Sequence, residues 1–301
     1  MATPAGVAWR GFAGDAGLLY PIDPTMEAGA HPGRILAAVG VVGLLLGGCA
    51  LQRLWEPSRE DVLRRILPSS VQIVVEQHEG RRVRTGSGVA IGGGPVGGRE
   101  ACFVLTSGHT VSGAMERRQV FVVFGRDRGR YEKAPATVLA HRDGGDVDLA
   151  LLGVEGGRCE PALLGGRPTL GTPVWVVGFP WGRHMTLTSG IVSQVDGERL
   201  SDQEEAARLM VDAAVSYGIS GGPVFEARSG RLVGIVEGYS TARVTSQGSA
   251  GAWYIDVPVP GQTFVTPLGD IRRFLADTGL AGVLNSTAGL ADLPDPATRR
   301  Q

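Results

Sequence analysis

The apolar residues of the chain fall in short runs separated by clusters of turn-forming residues. Two clear examples are residues 120–124 and 174–178, which are rich in valine and aromatic side chains. Runs of this length and composition are typical of buried strands, and the glycine-rich stretches between them are typical of turns. The pattern therefore predicts a mostly β protein built from many short strands, an arrangement common in barrels.

A short helix is predicted just before the first of these strands. Ser58 and Asp61 have the spacing of a capping box, in which side chains and backbone N–H groups at the start of a helix bond reciprocally. The helix is expected to end near Ile66, and the first strand is expected over residues 71–75.

A second helix is predicted near the end of the β-rich region, because Pro267 is a favourable first-turn residue and Gly279 a favourable stop. Its apolar face is expected to pack on the second half of the β-rich region. That face consists of Ile271, Phe274 and Leu275. Residues 285–301, with two prolines and a pair of arginines near the end, are predicted to be disordered.

The first 49 residues have the features of an export signal. Residues 35–46 are apolar, follow Arg34 and lead into a Leu-Gly-Gly-Cys tetrapeptide that ends at Cys49. This ending resembles a bacterial lipobox, in which signal peptidase cuts before the cysteine and the thiol is lipidated. The sequence therefore predicts a lipid anchor at Cys49 and a location at the periplasmic face of the cell envelope, on the outer membrane.

Two further hypotheses concern this segment. The apolar character continues to Leu51, which leaves an uncleaved signal anchor open, although the twelve residues 35–46 are fewer than a membrane-spanning helix needs. Residues 1–25 do not resemble the n-region of a signal peptide, so we hypothesise that translation begins at Met26. Residues 50–57 are expected to form a short tether to the folded region.

Length, composition and charge exclude several functions. The chain has 301 residues, 43% of them hydrophobic, and a formal net charge of −1. It is long enough for a large core, and its charge gives no argument for a nucleic-acid partner. No histidine and cysteine cluster has metal-ligand spacing, and the glycines at residues 92–94 lack the lysine and helix of a phosphate-binding loop. Neither a metal nor a cofactor is therefore expected.

The three cysteines fit an exported protein. If Cys49 carries lipid, Cys102 and Cys159 remain as one pair that an oxidising compartment could bridge. The sequence gives no distance between them, so a disulfide and two buried free thiols both stay open, and the free thiols are favoured.

The strongest candidate for chemistry is Ser220, which stands in the sequence Gly-Ile-Ser-Gly-Gly-Pro over residues 218–223. The N–H groups of Gly218 and Ser220 lie two residues apart on a tight turn, as an oxyanion hole with two backbone donors requires. With 47 glycines in the chain, an isolated match is also compatible with a linker or a hairpin turn. The interpretation therefore depends on whether partner residues exist.

A serine nucleophile needs a base, and His109 has the best setting among the five histidines. It follows the apolar run at residues 102–106, where the predicted strand breaks into a turn, and this places the imidazole at a rim. A buried histidine bonded to a backbone carbonyl is the alternative interpretation, and His184 is the fallback base.

The imidazole in turn needs a shielded carboxylate, and Asp148 fits best. It leads directly into the apolar run at residues 149–154, so a buried strand would anchor it. Asp146 is the near rival, but it lies in the glycine-bearing stretch 143–146, which is typical of a solvated turn. A simple strand-entry residue remains the alternative interpretation of Asp148.

The three candidates occur in the order His109, Asp148, Ser220, which is the chymotrypsin order and differs from those of subtilisin and the α/β-hydrolases. On these residues the chain resembles trypsin-like serine proteases, nearest to the bacterial HtrA/Deg branch. The resemblance covers roughly residues 60–280. Its motifs lie at residues 86–91, 104–111, 148–152, 178–193 and 212–214.

The resemblance implies an all-β fold of two six-stranded β-barrels of the chymotrypsin type, with the site between them and a protease domain over residues 58–284. It places the floor of the substrate pocket at Ala214 and one wall along Val236, Glu237 and Gly238. A small neutral floor favours small or medium apolar residues before the scissile bond, whereas an inward-pointing Glu237 would recruit a basic residue. Strand alternation favours a solvent-facing Glu237.

Two departures from the family pattern affect these expectations. Ile219 stands where the family has asparagine or aspartate beside the nucleophile, which changes the hydrogen bonding of the turn but keeps its backbone donors. About twenty residues follow the predicted helix stop at Gly279, too few for a PDZ domain, so roles that depend on such a domain are not expected.

The sequence therefore predicts a serine endopeptidase that cleaves proteins or peptides through an acyl-enzyme. A competing hypothesis is a catalytically inactive or latent peptide-binding sensor lipoprotein on the same fold, which would hold an extended peptide beside residues 236–239. An esterase that uses the same triad is a third hypothesis. Both a monomer and a trimer are compatible with the short segment at residues 51–66.

Overall fold

The computed structural model describes residues 57–77, 80–112, 118–126, 130–144, 147–156, 159–195, 209–248 and 251–285. The predicted export signal with Met26 and Cys49, the tether up to residue 56, Asp146 and the predicted tail from residue 286 lie outside these ranges. No helix within the described ranges is long and apolar enough to span a membrane.

Twelve β-strands and three α-helices are found in the described ranges. The strands are β1 Ser70–Gln77, β2 Arg82–Val96, β3 Arg99–Thr106, β4 Arg118–Arg126, β5 Arg130–Arg142, β6 Leu149–Glu155, β7 Pro173–Gly178, β8 Thr186–Gln194, β9 Leu209–Val211, β10 Pro223–Glu226, β11 Leu232–Gly248 and β12 Gly251–Pro267. The α-helices are α1 Arg59–Ile66, α2 Gly108–Val111 and α3 Leu268–Asp277, and short 3₁₀ helices cover Pro180–Gly182 and Ala281–Asn285.

The strands form two closed antiparallel barrels of six strands each. The order around the first barrel is β1-β2-β3-β6-β5-β4, and around the second it is β10-β11-β12-β9-β8-β7. The first closes where β1 pairs with β4, and the second closes where β10 pairs with β7. The prediction of an all-β fold with two six-stranded barrels is therefore confirmed.

Apolar side chains fill both barrels and the space between them. Ile73 and Val104 belong to the cluster inside the first barrel, and Val176 and Val224 to the cluster inside the second. Strand β3 shows how the clusters arise, because successive side chains of a strand point to opposite faces. Val104 therefore faces the first-barrel core, while its neighbour Leu105 joins the cluster between the barrels.

The cluster between the barrels also receives the apolar faces of α1 and α3, including Val62 and Ile66 of α1. The predicted face of the second helix packs here, and its residues are Ile271, Phe274 and Leu275. Helix α1 begins at the predicted capping box. The Ser58 side chain accepts a hydrogen bond from the Asp61 N–H at 3.2 Å, and the Asp61 carboxylate accepts one from the Ser58 N–H at 3.3 Å.

Cys102 of β3 and Cys159, just after β6, are joined by a disulfide with their Cα atoms 5.2 Å apart. The structure therefore has the bridge rather than the two free thiols that the sequence favoured. The reason is the pairing of β3 with β6, which places Cys102 opposite Val154 near the end of β6. That register is a tertiary property that cysteine spacing does not carry.

Strands β11 and β12, with 17 residues each, are the longest strands of the described ranges and continue together beyond the second barrel. Residues 241–248 of β11 pair with residues 251–258 of β12, whereas β12 contacts β9 through residues 263–265. We call the segment formed by residues 241–248 and 251–258 the ribbon. Two register shifts, between Val236 and Gly238 and between Tyr239 and Thr241, separate the ribbon from the barrel.

Candidate active site

His109 lies in the first turn of α2, three residues after β3 ends. Glycine at position 108 makes this turn possible, because a Cβ atom there would overlap the carbonyl oxygen of Arg142 and lie 2.9 Å from Asp148 Oδ1. Arg84 donates a hydrogen bond to the carbonyl oxygen of His109 from the other side. The backbone of His109 is thus fixed where β3 leaves the first barrel.

Asp148 immediately precedes β6, and its carboxylate accepts two hydrogen bonds from His109. Nδ1 of the imidazole lies 2.5 Å from Asp148 Oδ2, and the backbone N–H of His109 lies 2.7 Å from Asp148 Oδ1. Because a carboxylate only accepts, Nδ1 carries the proton and Nε2 keeps its lone pair. This arrangement orients the ring and prepares Nε2 to act as a base.

The Asp148 side chain is less exposed than the His109 side chain, as an orienting carboxylate beside a base requires. The Asp148 side chain is 15% exposed and that of His109 is 43% exposed, so the carboxylate is shielded while the imidazole reaches solvent. The hydrogen bond that His109 donates to Asp148 raises the pKa of His109 above its ordinary value, and the charge of Asp148 adds to this effect. Burial of the ring and the charge of Arg84 act in the opposite direction on this pKa.

Ser220 lies on a tight turn before β10. Gly218 and Gly221 flank it with φ angles of +93° and +82°, in the left-handed region that glycine adopts without strain. The Ile219 N–H donates to the Ser216 carbonyl at 3.2 Å, and the Gly222 N–H donates to the Ile219 carbonyl at 2.8 Å. These bonds fix the path of the turn.

Two backbone donors of this turn have no partner in the described structure. Within the described residues, the N–H groups of Gly218 and Ser220 have no hydrogen-bond acceptor. Gly86 brings the turn close to α2, since a Cβ atom there would lie 2.9 Å from Thr110 Oγ1 and 3.3 Å from the Ser220 carbonyl oxygen. No hydrogen bond joins the Ser220 hydroxyl to His109 among the described residues, and such bonds are often long without substrate.

Ile219, the departure from the family pattern, is 3% exposed and belongs to the second-barrel core. Its side chain packs next to Gly178, where a Cβ atom would lie 3.1 Å from Ile219 Cγ2. The apolar side chain therefore anchors the turn in the barrel core by burial.

Ser87 of β2 connects the first barrel to the nucleophile turn. Its hydroxyl donates to the Gly218 carbonyl at 2.7 Å and accepts from the Phe179 N–H at 2.9 Å. Its own N–H donates to the Ser220 carbonyl at 2.8 Å, and the residue is fully buried. In the sequence, this serine lies within the motif at residues 86–91, and its role is not evident there. A serine between two glycines in an apolar strand indicates that another segment of the backbone approaches the strand closely.

Replacing Ser87 with alanine is expected to lower kcat for peptide cleavage by at least about tenfold with a smaller change in KM, because the oxyanion donors lose their support. The matched control is Ser69→Ala, which also removes a fully buried hydroxyl bonded to a backbone carbonyl, that of Ile66 at 2.8 Å. Steady-state kinetics and thermal melts of both variants make the comparison. An equal fall in kcat in the two variants would show that Ser87 acts only through stability.

The predicted pocket residues lie on the second barrel on either side of the nucleophile turn. Ala214 is exposed, Val236 is buried, and Glu237 and Gly238 are half-buried. The Thr263 hydroxyl donates to the Ala213 carbonyl at 2.9 Å and so holds the segment that carries Ala214.

Val236 contacts the nucleophile turn through its backbone. Its carbonyl accepts from the Gly221 N–H at 2.7 Å and from the Ser107 hydroxyl at 3.0 Å, and its N–H donates to the Gly222 carbonyl at 2.8 Å. These bonds fix the start of the predicted pocket wall next to Ser220.

An aromatic pair that the sequence pattern does not predict lies beside the nucleophile turn. The rings of Trp181 and Tyr217 are 5.3 Å apart, and the Trp181 N–H donates to the Tyr217 carbonyl at 2.8 Å. Trp181 has a φ angle of +55°, a conformation that is rare for a bulky residue and often found near functional sites. His184, the fallback base, is exposed on the loop before β8, and Asp148 bonds His109 instead.

Histidine, cysteine and carboxylate side chains form no potential metal-binding group in the part of the chain that the structure describes. The chemical groups present are therefore an oriented imidazole, a shielded carboxylate, a serine and two backbone donors. This set is suited to acyl transfer.

The two-barrel fold with these groups at the junction defines the class of chymotrypsin-fold serine proteases. The sequence profile of the trypsin-like peptidase domain family matches residues 86–235. The chain therefore carries a trypsin-like peptidase domain, and it resembles the HtrA/Deg branch of that class.

Two curated relatives support the assignment to this branch. A protein of Hahella chejuensis named "Probable periplasmic serine endoprotease DegP-like" is 32% identical over 184 residues, 60% of this chain and 36% of that protein. The Arabidopsis thaliana "Protease Do-like 2, chloroplastic" is 34% identical over 157 residues, 50% of this chain and 23% of that protein. The chain thus spans less than half the length of these two relatives.

A solved structure supports the fold. The crystal structure of the serine endoprotease from Yersinia pestis has a TM-score of 0.53 and 20% sequence identity, and the match covers 77% of this chain and 68% of that one. At this level of identity the likeness concerns the fold.

Proposed function

We propose that the chain is a serine endopeptidase in which Ser220 is the nucleophile, His109 the general base and Asp148 the orienting carboxylate. The observation that carries this proposal is the pair of hydrogen bonds from His109 to Asp148, because it fixes both the backbone and the ring of the base. The match to the trypsin-like peptidase domain supports it independently.

In the first half of the reaction, His109 Nε2 removes the hydroxyl proton of Ser220, and Oγ attacks the carbonyl carbon of the scissile peptide bond. The negative charge that develops on the carbonyl oxygen is stabilised by the N–H groups of Gly218 and Ser220. One such donor stabilises the transition state by roughly 3–4 kcal/mol. Asp148 stabilises the imidazolium that forms at the same time.

The second half of the reaction releases the products. The imidazolium of His109 gives its proton to the leaving amine, the C–N bond breaks, and Ser220 is left acylated. His109 then removes a proton from a water molecule that attacks the acyl-enzyme. The ester bond breaks, Ser220 regains its proton, and the carboxylic acid product leaves.

We assign the residue before the scissile bond to a pocket with Ala214 at its floor and Val236, Glu237 and Gly238 along one wall. An alanine floor has no charge to pair with lysine or arginine, so small or medium apolar side chains are the expected preference. Gly238 leaves the wall open, since a Cβ atom there would meet no other atom within 4 Å.

Two other activities would use the same residues differently. A latent or inactive sensor would bind an extended peptide beside residues 236–239 without cleaving it. An esterase would cleave activated esters and leave amides intact.

We propose that the protease domain, residues 58–284, is exported and held at the periplasmic face of the outer membrane. The proposal rests on the lipobox-like sequence at Cys49, and the printed name of the Hahella chejuensis relative describes a periplasmic protein. The export signal at residues 1–49, a start at Met26, the tether at residues 50–57 and a disordered tail belong to the same proposal. Protein or peptide substrates are its proposed partners, and the domain acts as a monomer or a trimer.

The test of this function is covalent labelling of the full chain with a fluorophosphonate probe, followed by mass spectrometric mapping of the labelled peptide. Labelling is expected at Ser220 and is expected to disappear in both Ser220→Ala and His109→Ala, because the probe needs an activated serine. Cleavage of an amide substrate then separates a peptidase from an esterase. A folded wild-type chain that takes up no label would instead support the sensor.

A further inference from the structure

The ribbon has one apolar face that lies in solvent. In an antiparallel pair, directly opposed residues point to the same side. Val244 opposes Ile255, Ala242 opposes Val257, and Ser246 opposes Trp253. We call the surface formed by these side chains the apolar ribbon face. Val244, Trp253, Ile255 and Val257 are between 41% and 55% exposed.

The other face of the ribbon is polar and carries an ion pair. Arg243 forms a two-pronged ion pair with Asp256 at 2.8 and 3.1 Å, and its guanidinium lies 4.3 Å from the centre of the Tyr254 ring. Alternation of apolar and polar residues normally marks a strand with one buried side. Here the side that the pattern marks as buried is exposed, so the apolar ribbon face is suited to a further binding partner.

One edge of the ribbon continues the wall of the proposed substrate pocket. Strand β10 pairs with β11 only as far as Ile235, opposite Pro223. From Gly238 to Ser246 no strand of the described residues pairs with this edge of β11. An extended peptide that lies along Val236 and Gly238 is therefore directed onto the free edge of the ribbon.

The size and charge of the apolar ribbon face distinguish among possible occupants. The exposed apolar side chains present roughly 400 Å², about half of what each partner contributes to a stable protein dimer. Among the described ribbon side chains, the basic residue is Arg243. It lies on the opposite face and is paired with Asp256. The face thus lacks the basic flank that favours anionic lipid. A short extended peptide fits both its area and its neutrality.

We infer that the ribbon is a second substrate-binding surface, which takes the segment of the polypeptide substrate upstream of the residues in the pocket as an added strand. This inference rests on the proposed peptidase function. The substrate strand pairs with the free edge of β11, and every second upstream side chain packs on the apolar ribbon face beside Val244. The substrate class is an extended segment with apolar residues at alternate positions.

Strand addition predicts a dependence on the phase of the peptide sequence that unspecific hydrophobic binding does not predict. The cleaved bond at Ser220 fixes the register of the substrate along β11. Of two peptides that alternate valine and threonine in opposite phase, only one therefore places its valines on the apolar ribbon face. A preference for one phase separates strand addition from unspecific hydrophobic attraction.

The test uses the full chain in mild detergent and three fluorogenic peptides with the same four residues before the cleaved bond. One ends there, and the other two add six upstream residues that alternate valine and threonine in opposite phase. One phase is expected to raise kcat/KM at least tenfold over the short peptide. The double variant Val244→Ser, Ile255→Thr is expected to lose this gain, whereas Tyr254→Ser, on the opposite face, keeps it. All three chains should cleave the short peptide equally.

Binding of the labelled long peptides to Ser220→Ala, followed by fluorescence anisotropy, tests the ribbon separately from catalysis. If wild type cleaves no peptide but the Ser220→Ala variant still discriminates between the two phases, the proposed peptidase function fails, while strand addition of a peptide to the ribbon is supported. Equal kcat/KM and equal binding for the two phases would overturn the inference.

Two further outcomes would assign the face to another occupant and also overturn the inference. One is dimerisation in analytical ultracentrifugation that the double variant abolishes without any peptide preference. The other is binding to phosphatidylglycerol vesicles that the double variant weakens relative to wild type.

Discussion

Ser220→Ala is expected to lower kcat for peptide hydrolysis by about 10⁴- to 10⁶-fold, because no other group in the proposed mechanism can form the acyl-enzyme. The residual rate of the variant comes from the oxyanion donors and from substrate binding. The substitution removes one oxygen from a half-buried residue whose backbone contacts persist, so the melting temperature should change little. Steady-state kinetics with an amide substrate and a thermal melt measure both quantities.

A matched control for this variant is Ser216→Ala, on the same loop. The Ser216 hydroxyl takes part in no hydrogen bond of the described structure, while its carbonyl accepts from Ile219. Full activity of Ser216→Ala beside loss of activity in Ser220→Ala assigns the effect to the nucleophile. Turnover by Ser220→Ala at more than about one hundredth of the wild-type rate would contradict the assignment.

Asp148→Asn is expected to lower kcat by about 10⁴-fold, because an amide neither stabilises the imidazolium nor holds Nδ1 as the protonated nitrogen. The variant should keep its fold, since asparagine has nearly the same shape. The pH dependence of the residual activity provides a second readout that loss of folding would not mimic.

The direction of the pH effect follows from the cause of the pKa shift. His109 must be neutral to act as a base, so activity falls as the pH drops through its pKa, which the Asp148 carboxylate raises above 6.5. Without that carboxylate the pKa of His109 falls. The acid limb of kcat/KM should therefore lie at lower pH in Asp148→Asn than in wild type.

Asp143→Asn is the control for charge alone, since Asp143 raises the pKa of His109 only through its charge and is exposed. Its acid limb should move much less than that of Asp148→Asn, because solvent screens an exposed charge. Identical acid limbs in wild type and Asp148→Asn would rule out Asp148 as the partner of His109.

Sequence reasoning reached His109 and Asp148 because both stand next to apolar runs, and the ends of buried strands are recognisable without tertiary information. The structure places each beside the predicted strand and joins them by hydrogen bonds. The sequence could not predict the role of Ser87. Its hydroxyl bonds to Phe179 and Gly218, which lie 92 and 131 positions further along the chain. Such contacts depend on how the two barrels dock.

The ribbon shows a different limit of sequence reasoning. The alternation at Ala242, Val244 and Ser246 is visible in the sequence, and by itself it predicts a strand with one covered side. Only the pairing with Trp253 and Ile255 shows that these side chains share a face and that the face is exposed. Periodicity reports which side chains group together, and the tertiary structure decides what, if anything, covers them.

The proposed catalytic residues are divided between the two barrels, and this affects how activity is lost on unfolding. His109 and Asp148 belong to the first barrel, whereas Ser220 and its backbone donors belong to the second. A displacement of about 1 Å between reacting groups can cost 100-fold in rate. Heat or denaturant that loosens the barrel junction should therefore abolish activity before either barrel unfolds and exposes a cleavable strand. A partly unfolded molecule would then be inactive before other molecules of the protease can cleave it.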